Sequence, residues 1–214
     1  MKRHLLPALP IVLFCFCAPA GRGLTERSPY RLDPERNLIA GIPARNPDGT
    51  INAVIEIPAG TREKWEVVES GTYIEWEKLN GGRRVIDYLG YPGNYGLIPR
   101  TRSGDGDALD VIVLGSPLTR GAVTPVRVIG VLMMIDSGEQ DDKIVALARD
   151  GAFPQVRTLA DLEKRYPGVT SILATWFRHY KGEDGVEVSG FEGRERALEI
   201  IDRSITAYRG AAEP

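Results

Sequence analysis

The hydrophobic pattern turns from mainly strand-like to mainly helical late in this chain, and that change limits the fold more than any other feature. Up to about residue 149 the apolar residues come in short or alternating runs: NAVIEIP, KWEVVES, TYIEWEKL, RRVIDYL, LDVIVLG, PVRVIGVLMMID and KIVALAR. These predict strands. Asn80-Gly81-Gly82 predicts a hairpin turn, Gly130 a bend, and SGEQDD the turn that makes KIVALAR the antiparallel partner of the long strand before it. After residue 157 the period becomes helical. Thr158 is placed to cap LADLEKRY, Pro167-Gly168 breaks the chain, and VTSILATWFRHYK carries Ile172/Trp176 and Leu173/Phe177 on one stripe. A short strand, VEVSGF, precedes a last helix, ERALEIIDRSITAY. Strands first and helices last predict an α+β fold: a small closed or nearly closed β-barrel with helices packed outside. With 214 residues, 43% of them hydrophobic, the chain suits one domain with a real core.

Residues 1–20 read as a secretory signal: Lys2 and Arg3, an apolar stretch too short and Pro-broken for a membrane span, then Ala18-Pro19-Ala20 as a cleavage site. An uncleaved N-terminal anchor is the other reading. Neither Cys15 nor Cys17 follows the small residue a lipoprotein site needs. Export to a periplasm or beyond is the expectation. Residues 21–50, rich in Arg, Pro, Gly and Asn, read as an extended arm or linker. The mature chain then has no cysteine and one histidine, His179, which excludes thiolate sites and multi-histidine metal sites. A net charge of −2 gives no sign of a nucleic-acid binder.

The chemistry concentrates in GDGDALDVIVLG. Asp105, Asp107 and Asp110 crowd against the start of an apolar strand. Like charges that close raise one another's pKa unless something positive lies among them, so the run is either a solvated acidic turn or a cation site. It is not an EF-hand loop: counted from Asp105, position five is Leu109, six is Asp110 and twelve is Ser116. Phosphate-cradling motifs and the G-x-S-x-G elbow are absent. A second acidic group, Asp136, Asp141 and Asp142, lies in the turn between the two long strands. Two carboxylate groups at strand ends of one barrel can converge on one cavity, and such oxygen ligands favour Mg, Mn or Ca. Arginine outnumbers lysine 21 to 6, so Lys64, Lys143 and Lys181 stand out beside these groups. YPGNYG offers two phenols, Tyr91 and Tyr95, around a rigid turn, and Tyr180 a third; each is equally at home in a packed aromatic corner.

In order along the chain, VIEIP (54–58), KWE (64–66), YPGNYGLIP (91–99), DGDALD (105–110), the D-x4-D-x-K spacing from Asp136 to Lys143, and HYK (179–181) resemble the soluble family I inorganic pyrophosphatases. The resemblance covers roughly residues 52 to 205, within a domain spanning 51–210. It implies a five-stranded OB-like barrel with flanking helices, and hydrolysis of pyrophosphate with several Mg2+ ions, Mn2+ being an alternative. By position, Asp105, Asp110, Asp136 and Asp141 resemble metal ligands, and Glu56 and Glu66 outer or additional metal-site carboxylates. Asp107 resembles the group that helps deprotonate the attacking water, with Tyr91 near that water. Lys64, Tyr95, Lys143, Tyr180 and Lys181 match phosphate-holding positions. The family's phosphate-binding arginine falls on Arg83 by a gapless count and on Arg84 by the local R-V-I match; strand neighbours face opposite sides, so one of them reaches the cavity. A homo-oligomer, hexameric in bacterial relatives, is also implied. Two other readings use part of the same residues: an exported, non-catalytic module binding Ca2+ or a polyanion, and an enzyme of this fold acting on short polyphosphate.

Overall fold

The computed structural model describes residues 25–149, 151–182 and 185–212; the expected signal segment lies outside them. The strands, in chain order, are β1 (Thr25–Ser28), β2 (Arg31–Asp33), β3 (Ile51–Ile57), β4 (Trp65–Val67), β5 (Ile74–Trp76), β6 (Lys78–Leu79), β7 (Gly82–Arg83), β8 (Asn94–Leu97), β9 (Asp110–Leu114), β10 (Val123–Asp136), β11 (Glu139–Gln140), β12 (Lys143–Ala148) and β13 (Val186–Gly193). The helices are α1 (Leu159–Arg165), α2 (Val169–His179) and α3 (Arg194–Ala212).

Five strands close on themselves: β10 pairs with β12, β12 with β9, β9 with β8, β8 with β3, and β3 again with β10. The expected α+β barrel with flanking helices is therefore present. Among the pairings of this ring, β9 with β12 is parallel, Val111 opposite Ile144 through Leu114 opposite Leu147. That pairing brings the first residues of both strands, Asp110 and Lys143, to one end of the barrel. β10 runs antiparallel to β12 and delivers Asp136 to the same end.

Both faces of the barrel strands are buried, which is why the runs VIVL and IVAL are continuously apolar rather than alternating. Val111, Val113, Ile144 and Ala146 pack with Ala197, Ile200 and Ile201 of α3. Their neighbours Ile112, Leu114, Val145 and Leu147 pack with Leu162 of α1 and with Leu173, Trp176 and Phe177 of α2. The long strand β10 slips register between Val128 and Gly130, the bend expected there. Gly96 on β8 has no alternative residue, because a Cβ there would lie 1.8 Å from the Val54 carbonyl oxygen. Asn94 is fully buried and uses its whole amide. It accepts from the Ala59 and Leu118 N–H groups and donates to the Val113 and Ser116 carbonyls, fixing YPGNYG against two loops.

Three local expectations differ from the structure. RRVIDYL is a strand only as far as Arg83, with a single bridge at Val85; Val85 and Leu89 are exposed, and Ile86 alone is buried in the core, its N–H donating to the Arg62 carbonyl, so the segment makes isolated bonds in place of a ladder. Ile172, expected inside the apolar stripe of α2, is 61% exposed, while Leu173, Ala174, Trp176 and Phe177 carry the burial. The arm is not a free linker: β2 pairs with β5, and Leu38 and Ile42 lie 2% exposed in the core. Asn37 fixes this turn by accepting from the Ile39 and Ala40 N–H groups. Thr158 caps α1 as expected, in a reciprocal capping box with Asp161.

Candidate active site

A cavity of about 540 Å3 opens at the end of the barrel where β9 begins. Glu56 (β3), Lys64 and Glu66 (around β4), Tyr95 (β8), and Asp105, Asp107 and Asp110 (the loop into β9) all line it. The Asp107 N–H donates to the Asp105 carboxylate at 3.0 Å, a tight turn that presents both carboxylates from an exposed loop. Glu56 is 5% exposed and accepts from the Val67 N–H at 2.6 Å. Burial pushes its carboxyl up to about 8, against the pull of Lys64.

Beside the cavity, carboxylates and ammonium groups alternate. The Lys143 ammonium, its side chain 2% exposed, donates to both Asp110 and Asp141. Lys181 donates to Asp136. Burial raises Asp141 even with Lys143 beside it, and burial with the charges of Asp105 and Asp110 raises Asp107. Burial alone would lower Lys64 and Lys143, but the facing carboxylates outweigh it and raise both.

The phenols form one wall. Tyr91 packs on Trp176 at 4.5 Å between centroids and on Tyr95 at 5.3 Å, and Tyr180 stacks on Trp176 at 4.6 Å. Trp176 is anchored by its indole N–H to the Leu89 carbonyl. Burial raises the pKa of all three tyrosines, so they are held as O–H donors.

The two arginines separate as strand alternation requires. Arg84 forks onto Glu77 at 2.9 and 3.0 Å, and its charge is felt by Tyr91 and Tyr180. Arg83 turns the other way: its guanidinium lies 4.3 Å from the Tyr30 ring centre and donates to the Trp76 carbonyl. Arg83 therefore stands outside the group. Asp142 also stands apart, accepting from the Met134 N–H and the Gln140 amide to hold its turn.

Sequence reasoning missed several residues here. Glu77 was legible in principle, since the two-residue turn at Asn80 and Gly81 pairs 78 with 83 and so brings 77 beside 84. Arg102, Glu69 and Tyr208 line the cavity as well; no local pattern marks them, because tertiary packing of the loop and of α3 brings them there.

Among the described residues no three His, Cys, Asp or Glu side chains stand grouped to grip a metal, because ammonium groups lie between the carboxylates. By chemistry the residues still fit hard divalent cations. The donors are all oxygen and the carboxyls outnumber the cations; burial raises Glu56, Asp107 and Asp141, with neighbouring carboxylates adding to it, and a bound cation would offset both.

The family model "Inorganic pyrophosphatase" matches residues 53–209. The chain belongs to the inorganic pyrophosphatase family. The inorganic pyrophosphatase of Halalkalibacterium halodurans is 38% identical over 165 residues, covering 75% of this chain and 96% of that protein. The type I inorganic pyrophosphatase of P falciparum superposes with a TM-score of 0.77 at 28% identity, over 89% of this chain and 68% of that one. The inorganic pyrophosphatase of Thermus thermophilus does so with a TM-score of 0.69 at 32% identity, over 81% and 99%. The OB-like barrel is thus common to this chain and to solved inorganic pyrophosphatases.

Proposed function

We propose that this chain hydrolyses inorganic pyrophosphate to two phosphates, with Asp107 as general base. The observation that carries this reading is the pair of mixed-charge groups, Lys143 between Asp110 and Asp141 and Lys181 on Asp136, beside a cavity holding a further carboxylate with a raised pKa. Pyrophosphate is densely anionic, and its hydrolysis needs positioning and charge neutralisation more than covalent help. Lys64, Lys143, Lys181 and Arg84 supply cationic donors to phosphate oxygens, and Tyr95 and Tyr180 supply neutral ones. Asp107 lies on an exposed loop where its oxygen can take the proton of an attacking water, and its raised pKa makes it a better acceptor. Tyr91 lines the same wall, near that water.

Asp105, Asp110, Asp136 and Asp141, with Glu56 and Glu66, would hold Mg2+ or Mn2+, which when bound lowers the pKa of water and offsets the substrate's charge. A non-catalytic binder of Ca2+ or polyanions would account for the aspartates and lysines alone, but not for the buried phenols or Asp107, and family membership disfavours it. The deciding assay is phosphate release from pyrophosphate by the purified chain, with Mg2+ and with chelator. Fast, Mg2+-dependent release that ATP and tripolyphosphate do not match supports the reading; a folded protein without release sinks it.

Two further readings rest on the sequence and the surface. Lys2, Arg3, the apolar stretch and Ala18-Pro19-Ala20 support export to the periplasm or medium; finding the full-length chain in the cytoplasmic fraction would refute it. Leu89 and Ile172, 71% and 61% exposed beside Tyr88 and Trp176, are neighbouring apolar side chains that a subunit contact would cover, and with the family resemblance they support a homo-oligomer, hexameric as in bacterial relatives. Sedimentation as a monomer would refute that. No helix among the described residues is long and apolar enough to cross a membrane.

A further inference from the structure

We propose a second oxyanion site, away from the carboxylate cavity, in which Arg127, Arg149 and Arg194 bind an anion of the phosphate class. A separate cavity of about 290 Å3 is lined by these three arginines with Asp48, Thr50 and Leu198. It lies where β3 begins, β12 ends and α3 starts. Along β10, Arg127 is nine positions from Asp136, roughly 30 Å at an extended rise, so the two sites occupy different ends of the barrel.

Among the described residues, one carboxylate, Asp48, faces the three guanidinium groups of this cavity. Arg149 pairs with Asp48. Arg127 has no carboxylate partner among the described residues, its Nε is buried without a hydrogen bond, and the charge that reaches it is the like charge of Arg157. Arg157 donates from Nη1 to the Pro154 and Val156 carbonyls. Arg194 is the first residue of a 19-residue helix, the end whose macrodipole repels a cation, and it is exposed with no ion pair among the described residues. Three guanidinium groups lining one cavity at a helix N-terminus, with one carboxylate among them, are an arrangement that an anion relieves. Planar guanidinium forks match oxyanions in pairs of hydrogen bonds, and the volume is at the small end for ligand sites, roughly 300 Å3 and up. The chemistry is that of inorganic phosphate, which is also the product of the proposed reaction, or of a phosphate group on a larger molecule.

The test is equilibrium dialysis of radiolabelled inorganic phosphate against the full chain in chelator, comparing wild type with Arg127→Met and Arg194→Ala. Wild type should bind one phosphate per chain more than either variant, or bind it roughly tenfold to hundredfold more tightly, while pyrophosphate turnover at low phosphate stays unchanged. Arg194 is exposed, so its variant folds and keeps the test decisive. Adding tripolyphosphate as competitor separates the sources: preferential displacement marks a phosphate group on a longer chain, and weak displacement marks free phosphate. Equal phosphate binding in wild type and both variants would overturn the proposal. So would loss of oligomer in the variants without loss of phosphate, since the arginines would then serve a neighbouring subunit's carboxylates.

Discussion

Arg84 grips Glu77 with one guanidinium nitrogen, 2.9 and 3.0 Å from its two carboxylate oxygens, and the hairpin turn between them fixes that pair. The pair holds the guanidinium at the phenol wall, while Arg83, one position earlier, packs on Tyr30. Arg84→Met should lower kcat/KM for pyrophosphate roughly tenfold to hundredfold, the scale of a lost charge-assisted hydrogen bond. Arg83→Met should leave turnover within about twofold and cost about 0.5–1 kcal/mol of stability. Steady-state kinetics and denaturant midpoints on both variants check this, and the reverse ranking would reassign the site.

Asp107→Asn should cut kcat by at least about 100-fold, the scale of a lost general base. Asp107 sits on an exposed loop and braces no core residue, so KM and the unfolding midpoint should hardly move. Near-normal turnover would remove Asp107 from the chemistry.

Lys143 is the buried cation that reconciles Asp110 with Asp141. Lys143→Met leaves two facing carboxylates, and deleting one member of a buried ion pair costs about 3–5 kcal/mol. In chelator the variant should unfold at distinctly lower denaturant. Saturating Mg2+ should restore much of that stability, because a bound cation replaces the missing charge, yet turnover should remain low without the phosphate donor. Mg2+ restoring neither stability nor activity would mean the two aspartates do not bind it.

Glu163 joins α1 to the start of α2, accepting from the Thr170 hydroxyl and N–H and from the Gly168 N–H. The Thr170 hydroxyl chief among them, these bonds hold its carboxyl below the ordinary range. A depressed folded-state pKa adds stability that is fully present above the unfolded value, about 4.3, and is lost as pH falls through the folded one. Glu163→Gln should therefore narrow the gap to wild type on acidification below about pH 4. Unfolding midpoints measured from pH 7 to 3 check it; a gap that widens in acid contradicts this sign.

Much of this molecule was legible in one dimension. The change of period at residue 157 determined strands before helices, the Asn80-Gly81 turn determined the hairpin register, and Thr158 determined where α1 starts. These are local effects, decided by a few neighbouring dihedrals and hydrogen bonds. The order of motifs likewise determined the family. What only the tertiary structure decided depends on distant chain. It turned Arg84 toward Tyr91 and Tyr180 and Arg83 onto Tyr30, because which strand face is inner depends on what packs there. It turned Ile172 outward and drew Leu38 and Ile42 inward, since burial belongs to the partner surface and not to the residue. It placed Lys143 between Asp110 and Asp141, 33 and 2 positions away, through one parallel strand pair that nothing in the local pattern specifies.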